Sequence, residues 1–173
     1  MKHCNISTIN HEKVRLFPSI VEDIHDVFLR DGCELKNASP FYDKQIMVIN
    51  GDELENNFCF LDSRNLSSKK KSVDIIFIAK ELDKKEMFFT ELKLNSKENF
   101  YKLNKFSFRD KANNSFRAMG TSVPLSKKYF IVFSSKVINE ARRFLYRQNP
   151  KLNNDFVAIT TMEFYAKFFN NYG

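Results

Sequence analysis

The sequence predicts a single α/β domain: a central mixed β-sheet, built from a β-meander followed by αβ units, with helices flanking it. Three observations predict it. Two apolar, β-rich runs, Val73–Ala79 and Met87–Leu94, flank the charged segment Lys80–Glu86 and read as a β-hairpin. Helical periodicity precedes this hairpin near residues 19–29 and follows it at 97–119 and 137–147. Two further apolar runs, Tyr129–Ser134 and Phe156–Ile159, alternate with the later helices, the order expected of αβ units. No linker, repeat or low-complexity stretch divides residues 1–173, and 43% hydrophobic content with 19 Phe suffices for one packed core.

Taken in order, residues 1–14 carry His3, Cys4 and His11 without a further spaced ligand, so they read as a mobile terminus rather than a metal site. A helix is expected from Pro18–Ser19 to about Leu29. Ile20, Val21, Ile24, Val27 and Phe28 recur at helical spacing, Glu22, Asp23 and Asp26 lie opposite, and Asp31-Gly32 ends it. His25 is simply a residue on its face. Asn37–Pro40 reads as loop, Lys44–Ile49 as a strand, Asn50-Gly51-Asp52 as a turn and Phe58–Leu61 as another strand. Ser63–Ser72 is a polar, Lys-rich connection into the hairpin. After it, Phe100, Leu103, Phe106, Phe108, Ala112, Phe116 and Met119 suit one or two helical segments within Lys97–Met119. Strands at Tyr129–Ser134 and Phe156–Ile159 and helices at Val137–Arg147 and Met162–Phe169 complete the order.

Charge and cysteines narrow the function classes. Lys+Arg 28 against Asp+Glu 21 gives +7 and a pI near 9.3, which suits a polyanionic partner without specifying one. Cys4, Cys33 and Cys59 are odd in number and lack CxxC spacing, so neither a disulfide framework nor a zinc site is indicated, and a reducing, cytoplasmic location is expected. No signal-peptide core is visible, and no run approaches the ~18 apolar residues of a membrane span.

The chemistry-bearing residues sit in the hairpin. Its second run carries Glu91 and Lys93, which share a strand face with Phe89, while Thr90, Leu92 and Leu94 take the other. The midpoint between positions 74 and 91 falls between Leu82 and Asp83, inside the turn. A regular hairpin centred there sets Asp74 opposite Glu91, with Cβ atoms about 5 Å apart. Acidic-x-Lys triplets also occur at Glu34–Lys36 and Asp83–Lys85, so the spelling alone is worthless; only Glu91–Lys93 is embedded in an apolar strand facing a second acid. Ile75–Ala79 is apolar on both faces, as in an interior strand. Charges on such a strand must be paired or bind an ion. The plainer reading is an amphipathic hairpin with a cross-strand ion pair worth under about 1 kcal/mol.

This arrangement of Asp74 on one strand and Glu91-Leu92-Lys93 on the next, after a helix and before αβ units, resembles the PD-(D/E)xK nuclease superfamily. The likeness in element order runs from about Ser19 to Ile159. Val73 stands where the name-giving proline would sit. The resemblance implies a restriction-endonuclease-like fold and a metal-dependent endonuclease hydrolysing phosphodiester bonds by attack of water. Asp74, Glu91 and the Leu92 backbone carbonyl would hold Mg²⁺, with Mn²⁺ able to substitute, and Lys93 would position the water and stabilise the transition state. Some members add an acid from the first helix, for which Glu22 is the candidate. DNA is the expected polymer, RNA stays open, and so does a homodimer. Lys105, Arg109, Asn113 and Arg117 recur at i+4 steps, and with Lys71 they form a candidate phosphate-contacting set, or else a solvated helix face. The alternative function is a catalytically inactive nuclease-fold protein acting as a nucleic-acid- or protein-binding module.

Overall fold

The computed structural model describes residues 1–32, 39–42, 44–95, 103, 105–147 and 155–170. The triplet Glu34–Lys36, Cys33, half of the loop at 37–40 and the start of the 97–119 segment lie outside these residues. Seven strands form one sheet: β1 (Lys2–His3), β2 (Val21–Asp23), β3 (Met47–Asn50), β4 (Ile75–Glu81), β5 (Lys84–Lys93), β6 (Leu125–Phe133) and β7 (Phe156–Thr160). β2 to β7 lie side by side in chain order. Their pairings are antiparallel from β2 to β5 and parallel from β5 to β7. The sheet is therefore mixed, a meander continued by two strand–helix–strand crossovers.

The β4–β5 ladder has the register expected from the turn. Ile75 pairs with Thr90 at one end and Glu81 with Lys84 at the other. Only Leu82 and Asp83 remain in the turn, and Leu82 takes φ 52°. Two-residue hairpin turns need positive φ because their twist must match that of the strands.

Among the described residues, seven helices pack on the sheet: α1 (Asn5–Ile9), α2 (Glu12–Leu16), α3 (Ile24–Arg30), α4 (Gly51–Leu61), α5 (Lys105–Met119), α6 (Ile138–Arg147) and α7 (Thr161–Phe168). Strand alternation divides the core in two. On one face Ile76, Phe89 and Ile131 meet Leu54 of α4, Phe108 and Met119 of α5, and Ala141 and Leu145 of α6. On the other, Phe77, Phe88 and Phe130 meet Phe28 of α3 and Phe164 and Phe168 of α7. Rings here pack at centroid separations such as 5.1 Å for Phe77–Phe168 and 5.0 Å for Phe88–Phe168. Nine of the 19 phenylalanines are fully buried, so the aromatic excess fills the interior.

Four local expectations are corrected. The helix expected from Ser19 begins only at Ile24. Pro18–Ile20 make a 3₁₀ turn, Val21–Asp23 pair with Met47–Ile49, and the Asp23 side chain then caps α3 by accepting the His25 amide at 2.8 Å. Glu22 is thus on a strand. Phe58–Leu61 is the last turn of α4, not a strand. Asn50-Gly51 is not a free turn, since Asn50 Oδ1 accepts the amides of Asp52 and Glu53 and caps that helix. Finally, the first residues are built into the sheet. Lys2 and His3 pair with Lys80 and Ala79, continuing the β4 edge beyond the stretch paired with β3.

His3 is buried there, with Nε2 donating to the Met47 carbonyl at 3.0 Å and its ring against Phe169. Burial lowers its pKa from 6.5 to about 4, against the Met47 hydrogen bond. Its neutral form is thus favoured by folding. The contribution is complete above pH 6.5 and declines as pH falls toward 4, because the unfolded chain takes up the proton first. Urea unfolding across this window should lose on the order of 3 kcal/mol to this residue. His3→Gln, which keeps a donor for Met47, should flatten that part of the profile.

Candidate functional site

The site lies at the carboxyl end of β5, where the sheet changes from antiparallel to parallel pairing. Asp74 immediately precedes β4, and the ladder places it across from Glu91. Two contacts fix the backbone there. The Gly51 amide donates to the Asp74 carbonyl at 3.3 Å, and the Leu92 amide donates to Asp74 Oδ2 at 2.6 Å. Gly51 permits this close approach, since a Cβ at that position would run into the Val73 carbonyl oxygen.

Glu91 is fully buried. Its Oε1 accepts from Lys93 Nζ at 2.6 Å and from Lys111 Nζ at 2.6 Å, while Tyr129 OH approaches Oε2 at 3.5 Å. Lys93 Nζ also donates to the Leu92 carbonyl at 2.9 Å, and Lys111 Nζ lies 3.6 Å from Asp74 Oδ1. Asp74, Glu91, the Leu92 carbonyl and Lys93 are therefore brought together. Burial pushes the Glu91 carboxyl upward and Asp74 adds to this, while Lys93 and Lys111 pull it back. Burial disfavours the Lys111 charge, but Asp74 and Glu91 outweigh it and hold that amine above its ordinary value. Tyr129 is raised well above its usual range by burial and by the two carboxylates, so it serves as a hydrogen-bond donor.

Glu22 does not join this group. It pairs across the sheet with Val48, whose side chain belongs to the core on the opposite face. Its carboxylate is held by Arg30 at 2.6 and 3.1 Å and by Asn50 Nδ2 at 2.8 Å. Of the basic residues, Lys71 is exposed and reaches Ser107 Oγ at 3.4 Å beside the site. Arg109 lines a pocket with Asn113, Lys127, Lys128, Tyr129 and Phe156. Arg117 is exposed six residues beyond Lys111, about 9 Å further along the axis. Lys105 is in α5, but its side chain lies outside the described residues.

The sequence reading missed Lys111, Tyr129 and the seam that carries Lys111. Ser107, Lys111 and Ser115 recur at i+4 steps on α5, and the seam runs along residues 71–74: Ser107 takes Lys71 Nζ, Ser115 Oγ accepts the Val73 amide at 3.0 Å, and Asn114 donates to the Lys71 carbonyl. This polar seam was available in the sequence, though the richer basic stripe two residues away was the more visible one.

Two carboxylates and a carbonyl oxygen converging on cationic nitrogens are a hard-oxygen set of the kind Mg²⁺ prefers. Among the described residues, no three His, Cys, Asp or Glu side chains are grouped to hold a metal ion. A Ser–His contact also occurs, Ser122 Oγ to His11 Nε2 at 3.1 Å. His11 Nδ1, however, accepts the Lys13 amide and caps α2, so neutral His11 carries its proton on Nε2 and cannot take one from Ser122. No helix among the described residues is long and apolar enough to cross a membrane.

No family model, curated protein or solved structure matches the chain, so the site is interpreted from its own geometry. Breaking a buried ion pair from one side is costly, whereas replacing both partners by apolar groups is far less so. Glu91→Leu should therefore cost about 3 kcal/mol in chemical denaturation, and adding Lys111→Leu should recover more than about 1 kcal/mol of it. Equal losses in the single and double variants would show that Lys111 is not the charge partner.

Proposed function

We propose that the protein is a divalent-metal-dependent nuclease of the PD-(D/E)xK kind, hydrolysing phosphodiester bonds with DNA as its expected polymer. The observation that carries this reading is that Glu91 pairs with both Lys93 and Lys111, while Asp74 lies beside Lys111 and the Leu92 carbonyl accepts from Lys93, at the end of a buried strand pair. Asp74 and Glu91 would hold the cation, with the Leu92 carbonyl as a neutral ligand. A bound divalent ion supplies a water of lowered pKa and neutralises charge on the phosphate. Lys93, about a quarter exposed, faces both the carboxylates and solvent. From there it directs hydrogen bonds to the attacking water and to a phosphate oxygen. Tyr129 closes the inner side of Glu91 and excludes water behind it. Lys71, beside the site, and the +7 net charge favour a polyanionic substrate, and phosphate contacts of this sort position a strand without reading its bases.

One observation favours a second reading. Two carboxylates and two lysines form a charge-balanced network, as in a purely structural cluster of a nucleic-acid- or protein-binding module. Plasmid nicking with Mg²⁺ or Mn²⁺ separates the two. Cleavage by the wild type, with losses of at least about 100-fold in Glu91→Ala and Lys93→Ala, is expected for the nuclease. Metal-dependent nicking that is undiminished in both variants, or absent from the wild type, would leave only the structural reading.

A further inference from the structure

Lys93 alone satisfies the needs of its own corner: it bridges Glu91 Oε1 and the Leu92 carbonyl. Lys111 does something else. Reaching in from α5, its ammonium bridges the two carboxylates, 2.6 Å from Glu91 Oε1 and 3.6 Å from Asp74 Oδ1, where a cation shared by both would sit. Carboxylates facing each other across an antiparallel pair repel unless a cation lies between them, and here that cation is tethered to the chain. A divalent ion at about 2.1 Å from the same oxygens would lie too close to the ammonium for both to remain.

We infer that Lys111 is the resident counter-cation of the Asp74–Glu91 pair and is exchanged for the divalent ion when the metal binds. This rests on the nuclease reading of the same site. The surroundings provide for the exchange. Lys111 rides on a seam whose neighbours one turn away, Ser107 and Ser115, are small and polar. Asp52, in the first turn of α4, is a further carboxylate within electrostatic reach of the amine, as is Asp31. The Asp52 side chain is more than half exposed, and it already accepts from Ser72 Oγ at 2.6 Å and pairs with Lys69 at 3.3 Å. Displaced from the buried pair, the Lys111 ammonium would take this exposed carboxylate as its charge partner. The arrangement keeps two acids folded in the absence of metal and sets a threshold concentration for its entry.

The test is Mn²⁺ titration of wild type, Lys111→Gln and Lys111→Gln/Glu91→Gln, followed by calorimetry and by the electron-spin signal of free Mn²⁺. Lys111→Gln should bind at least tenfold more tightly than wild type, and adding Glu91→Gln should abolish the site. Equal affinity in wild type and Lys111→Gln, at a site that still needs Glu91, overturns the exchange and leaves the metal reading standing. No Glu91-dependent binding in either protein overturns both. Acylation footprinting of the wild type, read by mass spectrometry, requires no variant to fold. Labelling of Lys111 should rise several-fold on adding Mn²⁺, and unchanged labelling in the presence of bound Mn²⁺ overturns the exchange.

Discussion

The antiparallel ladder between β4 and β5 is the constraint on which the remaining structure depends. It lies near the middle of the sheet, with β3 and β1 sharing one edge of β4 and β6 running along the far edge of β5. Its register decides which side chains of β5 face α5 and which face α7. Phe89, Glu91 and Lys93 go to one side, Phe88 and Leu92 to the other. A single-residue slip would send the two charges toward the phenylalanine-rich core.

Burying Glu91 beside Asp74 is expensive in isolation, and the fold offsets the cost with groups from three separate elements. Lys93 comes from the same strand, Lys111 from the following helix and the Tyr129 hydroxyl from the parallel neighbour. Helix α5 is thereby held to the strands by charge and hydrogen bonds on one side and by Phe108 and Met119 on the other. The same contacts that settle the helix also aim Lys111, so packing and site geometry are not separable here.

Much of this was legible in the sequence, and the parts that were not have physical reasons. The hairpin register could be read because the turn is short and the apolar runs are long enough to define faces. Tyr129–Ser134 and Phe156–Ile159 were short, β-rich runs between helical patterns, and both are strands. Phe58–Leu61 failed because four apolar residues in a row fit a strand or the end of a helix equally. The deciding information was Asn50 with Asp52 and Glu53 eight and fewer residues earlier, a cap followed by an acidic first turn. Glu22 was misplaced because Ile20, Val21 and Ile24 mimic helical spacing across a 3₁₀ turn and a three-residue strand. His3 and Tyr129 owe their settings to partners 44 and 38 residues away in sequence, which no local pattern encodes. At the candidate site, the facing acids and the Glu91–Lys93 pair were readable, and the second lysine was marked only by the Ser107–Lys111–Ser115 spacing.

Leu82, 87% exposed at the tip of the hairpin, looks like the part of the chain with the most freedom. It has freedom of composition but not of length. Side chains at the tip touch little, and substitutions there that accept its positive φ are tolerable. One residue more or fewer would displace the ladder and carry Glu91, nine positions downstream, to the wrong side of the sheet. Insertions and deletions, usually absorbed at exposed loop tips, are therefore disfavoured here, and this solvent-washed turn acts as the ruler of the ladder.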